Sequence, residues 1–272
     1  MEPFLFREGA GPLLVSMPHV GLHIPDDIAA GMTPLALTCS DTDWHIDRLY
    51  DFLDDLGASV IAATHSRYVI DLNRPPDGSS LYPGRATTEL CPTCTFDGVP
   101  LYELGAEPRE DEIARRIATY WRPYHERLEA ALSRIRDRHG HVLLWDAHSI
   151  RSVVPRLFEG RLPDFNLGTA DGASCAPGIA RRVNGVAQAA AGYSAVLDGR
   201  FKGGFITRHY GRPAGDVHAV QLELSQRTYM EEAAPFTFRD ERAARLRPVL
   251  RTMIEAMLDH APQTASDRDA GR

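Results

Sequence analysis

Three apolar runs in the chain end in polar clusters. PLLVSMPH closes on His19, RYVIDLNR carries Arg67, Asp71, Asn73 and Arg74, and HVLLWDAHS closes on Asp146 and His148. A histidine at a strand end is, taken singly, a hydrogen-bonded structural residue more readily than a ligand; a pair at two strand ends makes metal ligation an equal reading. Asp146 lies two residues before His148 and therefore on the same side of an extended strand. There it suits the second ring nitrogen of a metal-bound histidine or a purely structural hydrogen bond.

A third ligand calls for a carboxylate or an imidazole. Asp43 and Asp47 fall one helical turn apart on one face, although acids at a helix start also complement its dipole. His23 and His45 are weaker candidates. Glu223 sits in VQLELS, where Val220, Leu222 and Leu224 alternate with polar residues. It is either a solvated edge residue or a general base beside an activated water. Arg67, Asn73 and Arg74 read as a carboxylate socket or a structural network. FKGGFITRHYG gathers Lys202, Arg208, His209 and Tyr210 around Gly203 and Gly204, a clamp for an anion or a mobile basic loop. Ser16, Ser66 and Ser149 lack a nucleophile-elbow setting, so a serine hydrolase has little support. Cys91 and Cys94 form a lone CPTC with no second pair to close a structural zinc site.

The elements that must position these residues alternate in type. Strands are expected over 12–17, 58–63, 67–72, 141–149, 205–209 and 218–225. Helices are expected over 41–56, over 110–140 with a bend at Pro123 and an end at Gly140, and over 176–191 and 238–260. Residues 75–108 read as a long ordered loop of the kind that serves function, and 151–175 as a further loop. No repeat or linker divides the chain. It reads as one α/β domain over 1–261, with ligands expected beyond the carboxyl ends of the strands, and a disordered tail over 262–272.

The 272 residues carry a formal net charge of -7, with 43% hydrophobic and 25% charged residues. That balance argues against nucleic acid or an anionic membrane as the main partner and leaves a small molecule. No run is long enough to span a bilayer, and Glu2, Arg7 and Glu8 precede any apolar stretch, unlike a signal peptide. With four cysteines read as reduced thiols, a cytoplasmic protein is expected. Nothing in the pattern indicates an oligomeric state.

Together SMPHVGLHIP, DTDWHIDRLYDFL, SRYVIDLNRPPD, LLWDAHSIRS, GRFKGGFITRHYG and AVQLELSQRTYM resemble the N-formylglutamate amidohydrolase (N-formylglutamate deformylase) family from about residue 12 to about residue 255. The resemblance implies a fold related to zinc carboxypeptidases and aspartoacylases: a mixed, mostly parallel sheet between helices in a three-layer sandwich. It further implies Zn2+, or another divalent metal, held by His19 and His148. Glu223 would activate water, Arg67 would stabilise the oxyanion, and Asn73, Arg74 and Arg208 would contact substrate. Relatives carry a HxxE pair, but Leu22 stands three residues after His19. The carboxylate ligand must then come from the following helix, with Asp47 first and Asp43 second. The implied reaction is metal-dependent hydrolysis of N-formyl-L-glutamate to formate and L-glutamate, the last step of one bacterial histidine degradation route. Its rivals are a related zinc amidohydrolase of another N-acyl acidic amino acid and a non-catalytic protein that binds an acidic ligand.

Overall fold

Among the described residues, seven strands form one sheet in the order β1-β3-β2-β4-β7-β5-β6. In chain order the computed structural model contains β1 (Phe4–Arg7), β2 (Leu13–Met17), α1 (Asp26–Ala29), α2 (Ile46–Leu49), β3 (Ser59–Ala63), α3 (Glu110–Arg116) and α4 (Arg122–His139). There follow β4 (Val142–Ile150), β5 (Phe165–Gly168), α5 (Pro177–Ala189), β6 (Ala195–Leu197), α6 (Phe205–Tyr210), β7 (Val217–Ser225) and α7 (Asp240–Leu258). The structure describes residues 1–81, 84 and 87–260; the tail expected to be disordered lies outside the described residues. Strands β3, β2, β4 and β7 run parallel to one another, as do β5 and β6, while the β1–β3 and β5–β7 pairs are antiparallel.

Alternation along the central strands sends side chains into two cores. Val15, Trp145 and Leu222 pack with α2, α5 and α7 on one face. Leu14, Leu144 and Ala219 pack with α4 and α6 on the other. Helices therefore cover both faces, as parallel sheets require, and polar residues beyond the strand ends open toward one rim. Among the described residues no helix is long and apolar enough to cross a membrane, and all four cysteines are free.

Four expectations need correction. Tyr68, Val69, Ile70 and Leu72 are buried but form a turn: Val69 N donates to Ser66 O, Arg74 N to Asp71 O, and Asn73 N to the Asp71 carboxylate. Local bonding by Ser and Asp competes with a ladder, and burial on all sides mimics a central strand in sequence. The helix expected over 41–56 shrinks to Ile46–Leu49, because His45 has φ 61 in the left-handed region and breaks helical propagation. Residues 205–209 are helical. Their first turn is satisfied from outside, with Ile206 N donating to Asn73 Oδ1 and Gly204 N to Gln221 Oε1. The loop expected over 151–175 contains β5, a four-residue strand too short to show a period.

Candidate active site

His19 lies just beyond β2, and His148 is near the end of the adjacent β4. Their rings come within 4.9 Å between centroids. Asp43 joins them from the loop before α2, its backbone N–H held by His19 O at 3.0 Å. Its Oδ2 stands 3.0 Å from His148 Nδ1 and 3.6 Å from His19 Nδ1. All three residues are buried, and one ligand atom from each lies within 4.8 Å of the others.

The opposite ring nitrogens are held from outside this group. His19 Nε2 is 2.7 Å from Asp71 Oδ1, a contact that places the proton on Nε2 and the lone pair on Nδ1. Asp71 is held in turn by Arg67, whose Nη2 donates to Oδ2 at 2.6 Å. His148 Nε2 is 3.2 Å from Asp146 Oδ1, so Asp146 does reach the second ring nitrogen. It also accepts hydrogen bonds from Ser16 and Thr207, tying β2 and α6 to the same carboxylate. Asn73 Nδ2 approaches His148 Nε2 at 3.0 Å, and its amide orientation is set by the Ile206 N–H on Oδ1. A Cβ at residue 204 would stand 2.3 Å from that amide nitrogen, so only glycine fits there.

These contacts set the charge states. Burial opposes ionisation of Asp43, but His148 and His19 outweigh it and lower its pKa. Burial likewise opposes ionisation of Asp71, and Arg67 and His19 hold its pKa well below the usual carboxylate range. Burial disfavours imidazolium at His148, but Asp146 and Asp43 raise its pKa well above the ordinary value.

The donor set fits a divalent metal. Two imidazoles and one carboxylate are ligands zinc accepts, and three protein ligands leave a position open. The carboxylate holds the strongest local sign: Asp43 Oδ1 is buried with no hydrogen-bond partner, and an acceptor oxygen is rarely left so. Asp47, expected to complete the set, is instead exposed on α2. The turn at His45 breaks the helix that would have placed both acids on one face. Leu22 is 47% exposed.

Glu223 is the register partner of His148 on β7. At 8% exposure it is no solvated edge residue. Burial pushes its carboxyl up to about 8, opposed by His148 and reinforced by Asp43. It lines a cavity with His19, His148, Asn73, Arg67, Arg74, Gln221 and Arg200. Arg208 is not among the lining residues; its Nε donates to Gly203 O at 2.8 Å. Arg200 was not foreseen, because a lone arginine before Phe201 carries no local signal.

The turn carrying Asn73 and Arg74 is clamped by one helical run, α3 to α4. Arg116 donates to Val69 O at 3.0 Å, Trp121 Nε1 to Arg74 O at 3.0 Å, and His125 Nε2 to Leu72 O at 2.9 Å. A five-residue π-helical turn, Ile117–Trp121, follows Arg116 and widens the spacing so that all three donors reach one loop. This turn precedes Pro123. Burial lowers the His125 pKa to about 3, so a neutral ring donates here. Trp121 stacks on His125 with centroids 3.8 Å apart. Trp121→Phe keeps an aromatic ring there and removes only the donor to Arg74 O. It is expected to lower the unfolding free energy by about 1 kcal/mol and to raise KM more than it lowers kcat. Urea unfolding with steady-state kinetics checks this; an unchanged unfolding midpoint and KM would mean the clamp is idle.

Comparison with known proteins places this geometry. The sequence pattern describing N-formylglutamate amidohydrolase matches residues 11–230. The N-formylglutamate deformylase of Pseudomonas putida is 56% identical over 253 residues, covering 93% of this chain and 94% of that protein. The protein of the same name from Pseudomonas aeruginosa is 55% identical over 257 residues, covering 94% and 96%. Among solved structures, the N-formylglutamate amidohydrolase of Ralstonia eutropha JMP134 superposes with a TM-score of 0.80 at 26% identity, covering 94% of this chain and 98% of that one. A gene product of Agrobacterium tumefaciens shares the fold at 17% identity, with a TM-score of 0.71 over 94% of this chain and 95% of that one.

Proposed function

Because the chain belongs to the N-formylglutamate amidohydrolase family, we propose that it hydrolyses N-formyl-L-glutamate to formate and L-glutamate, with zinc held by His19, Asp43 and His148. One observation carries the reading: two imidazole Nδ1 atoms face Asp43 Oδ2, whose companion Oδ1 is buried without a partner, and the two histidines line a cavity with Glu223 and three arginines. Zinc in that position supplies a Lewis acid that activates water and polarises the formyl carbonyl.

The protein's own groups do the rest. Glu223 accepts a proton from the attacking water and passes it to the departing nitrogen, so one water is consumed as the formyl C–N bond breaks. Arg67 borders His19, with Nη1 3.4 Å from His19 Nδ1, where its charge offsets the negative charge that develops on the formyl oxygen. Arg74 donates from Nε and Nη2 to Thr88 and from Nη1 to Asn73 O. Those bonds hold it and Asn73 at the cavity wall to position the substrate α-carboxylate. The glutamate product agrees with the route of histidine degradation.

Formate release from N-formyl-L-glutamate is the test, before chelation, after it, and after zinc or another divalent metal is restored. Release is expected to fall by at least about a hundredfold on chelation and to recover with metal. Full activity in protein shown to be metal-free would exclude the metal-dependent reading.

A further inference from the structure

We propose that Arg200, backed by Leu157 and Phe201, is the subsite for the substrate's side-chain carboxylate and sets the preference for an acidic N-formyl amino acid over a neutral one. The inference rests on the hydrolytic reading above and adds to it the residue that selects the distal charge.

The substrate is a dianion, and three guanidinium groups line the cavity: Arg67, Arg74 and Arg200. Two of them belong to the reacting end. Arg67 is locked to Asp71 and stands beside His19. Arg74 follows Asn73, which touches His148. Arg200 enters from elsewhere, the segment between β6 and α6. Its companions in the cavity wall differ in character: Leu157, Phe201 and Ile150 belong to a small apolar cluster with Phe96. Its Nε donates to Leu157 O at 2.7 Å, which orients the plane of the fork, and its guanidinium carbon lies 5.2 Å from the centre of the Phe201 ring.

An apolar wall ending in an oriented guanidinium complements two methylenes ending in a carboxylate. A planar fork reads that carboxylate by geometry as well as charge. The helix residue Arg208, the other cation near this segment, turns to Gly203 O and is absent from the cavity lining.

The test is the ratio of kcat/KM for N-formyl-L-glutamate to that for N-formyl-L-glutamine, which keeps the shape and removes the distal charge. Wild-type protein, Arg200→Ala, Arg200→Lys and Arg208→Ala are compared. Arg200→Ala is expected to shrink the ratio by about ten- to a hundredfold, with Arg200→Lys intermediate and Arg208→Ala close to wild type. Equal loss on both substrates would assign Arg200 a structural role and overturn the proposal, as would collapse of the ratio in Arg208→Ala alone. Calorimetric binding of N-formyl-L-glutamate separates this from failure of the parent reading. If wild-type protein binds without turnover and Arg200→Ala binds about tenfold or more weakly, the subsite stands and the hydrolytic reading falls. If Arg200→Ala binds as tightly as wild type, the subsite falls whatever the turnover.

Discussion

Asp43→Ala is expected to abolish stoichiometric metal binding and lower kcat/KM by about a thousandfold or more, whereas Asp47→Ala should stay within about twofold of wild type. A metal that stabilises developing charge supplies several kcal/mol, and about 4 kcal/mol corresponds to a thousandfold in rate. Asp43 is 1% exposed and meets both histidines through Oδ2, while Asp47 is exposed. Removing Asp43 also leaves His148 with Asp146 as its remaining carboxylate. Two imidazoles without the carboxylate are an incomplete set for zinc. Metal content per chain by elemental analysis, with formate release on the same preparations, decides the matter. One bound metal and wild-type turnover in Asp43→Ala, or their loss in Asp47→Ala, would reverse the assignment.

Glu223→Gln is the second large effect. Its turnover should fall by about 10²- to 10⁴-fold, the usual worth of a general acid–base group, with metal content unchanged because Glu223 is outside the set of three ligand residues. A loss confined to KM would show that Glu223 binds substrate rather than moving protons. The same residue makes a stability prediction for chelated protein. In the fold its carboxyl titrates at about 8, while in the unfolded chain it titrates near ~4.3. Between these values the folded state holds more protons than the unfolded state, so stability falls as pH rises. The variant has no such group to ionise. Its melting temperature relative to wild type should therefore improve steadily from pH 5 to pH 8, both proteins being chelated. A constant difference across that range would mean that Glu223 ionises normally.

Much of this site was legible in the chain, for a local reason. Apolar runs that end in His19, Asp146 with His148, or Glu223 announce strands whose last residues leave the core, and a parallel sheet brings such ends to one rim. The long helical region, the strands β2, β3, β4 and β7, and the absence of a structured element over 75–108 among the described residues followed from periodicity and from glycine and proline. Where local signals were ambiguous, expectation failed. A buried run such as Tyr68-Val69-Ile70 has the same pattern whether it joins a ladder or a turn. A five-residue run such as 205–209 is too short to show a period.

The sequence by itself determined the inventory: two strand-end histidines, the glutamate Glu223 on the polar side of a late strand, and the Arg67–Arg74 segment. Only the tertiary structure showed which residues come together. Asp43, rather than Asp47, comes to lie with the two histidines, because one left-handed residue, His45, ends a helix before it begins. Asp71 is buried against His19 and Arg67, which it bonds through its two oxygens. Arg200, and not Arg208, lines the cavity, because the segment between β6 and α6 folds against it. Each choice depends on distances between residues tens to hundreds of positions apart, and those follow from strand order and buried polar contacts rather than from any spacing along the chain.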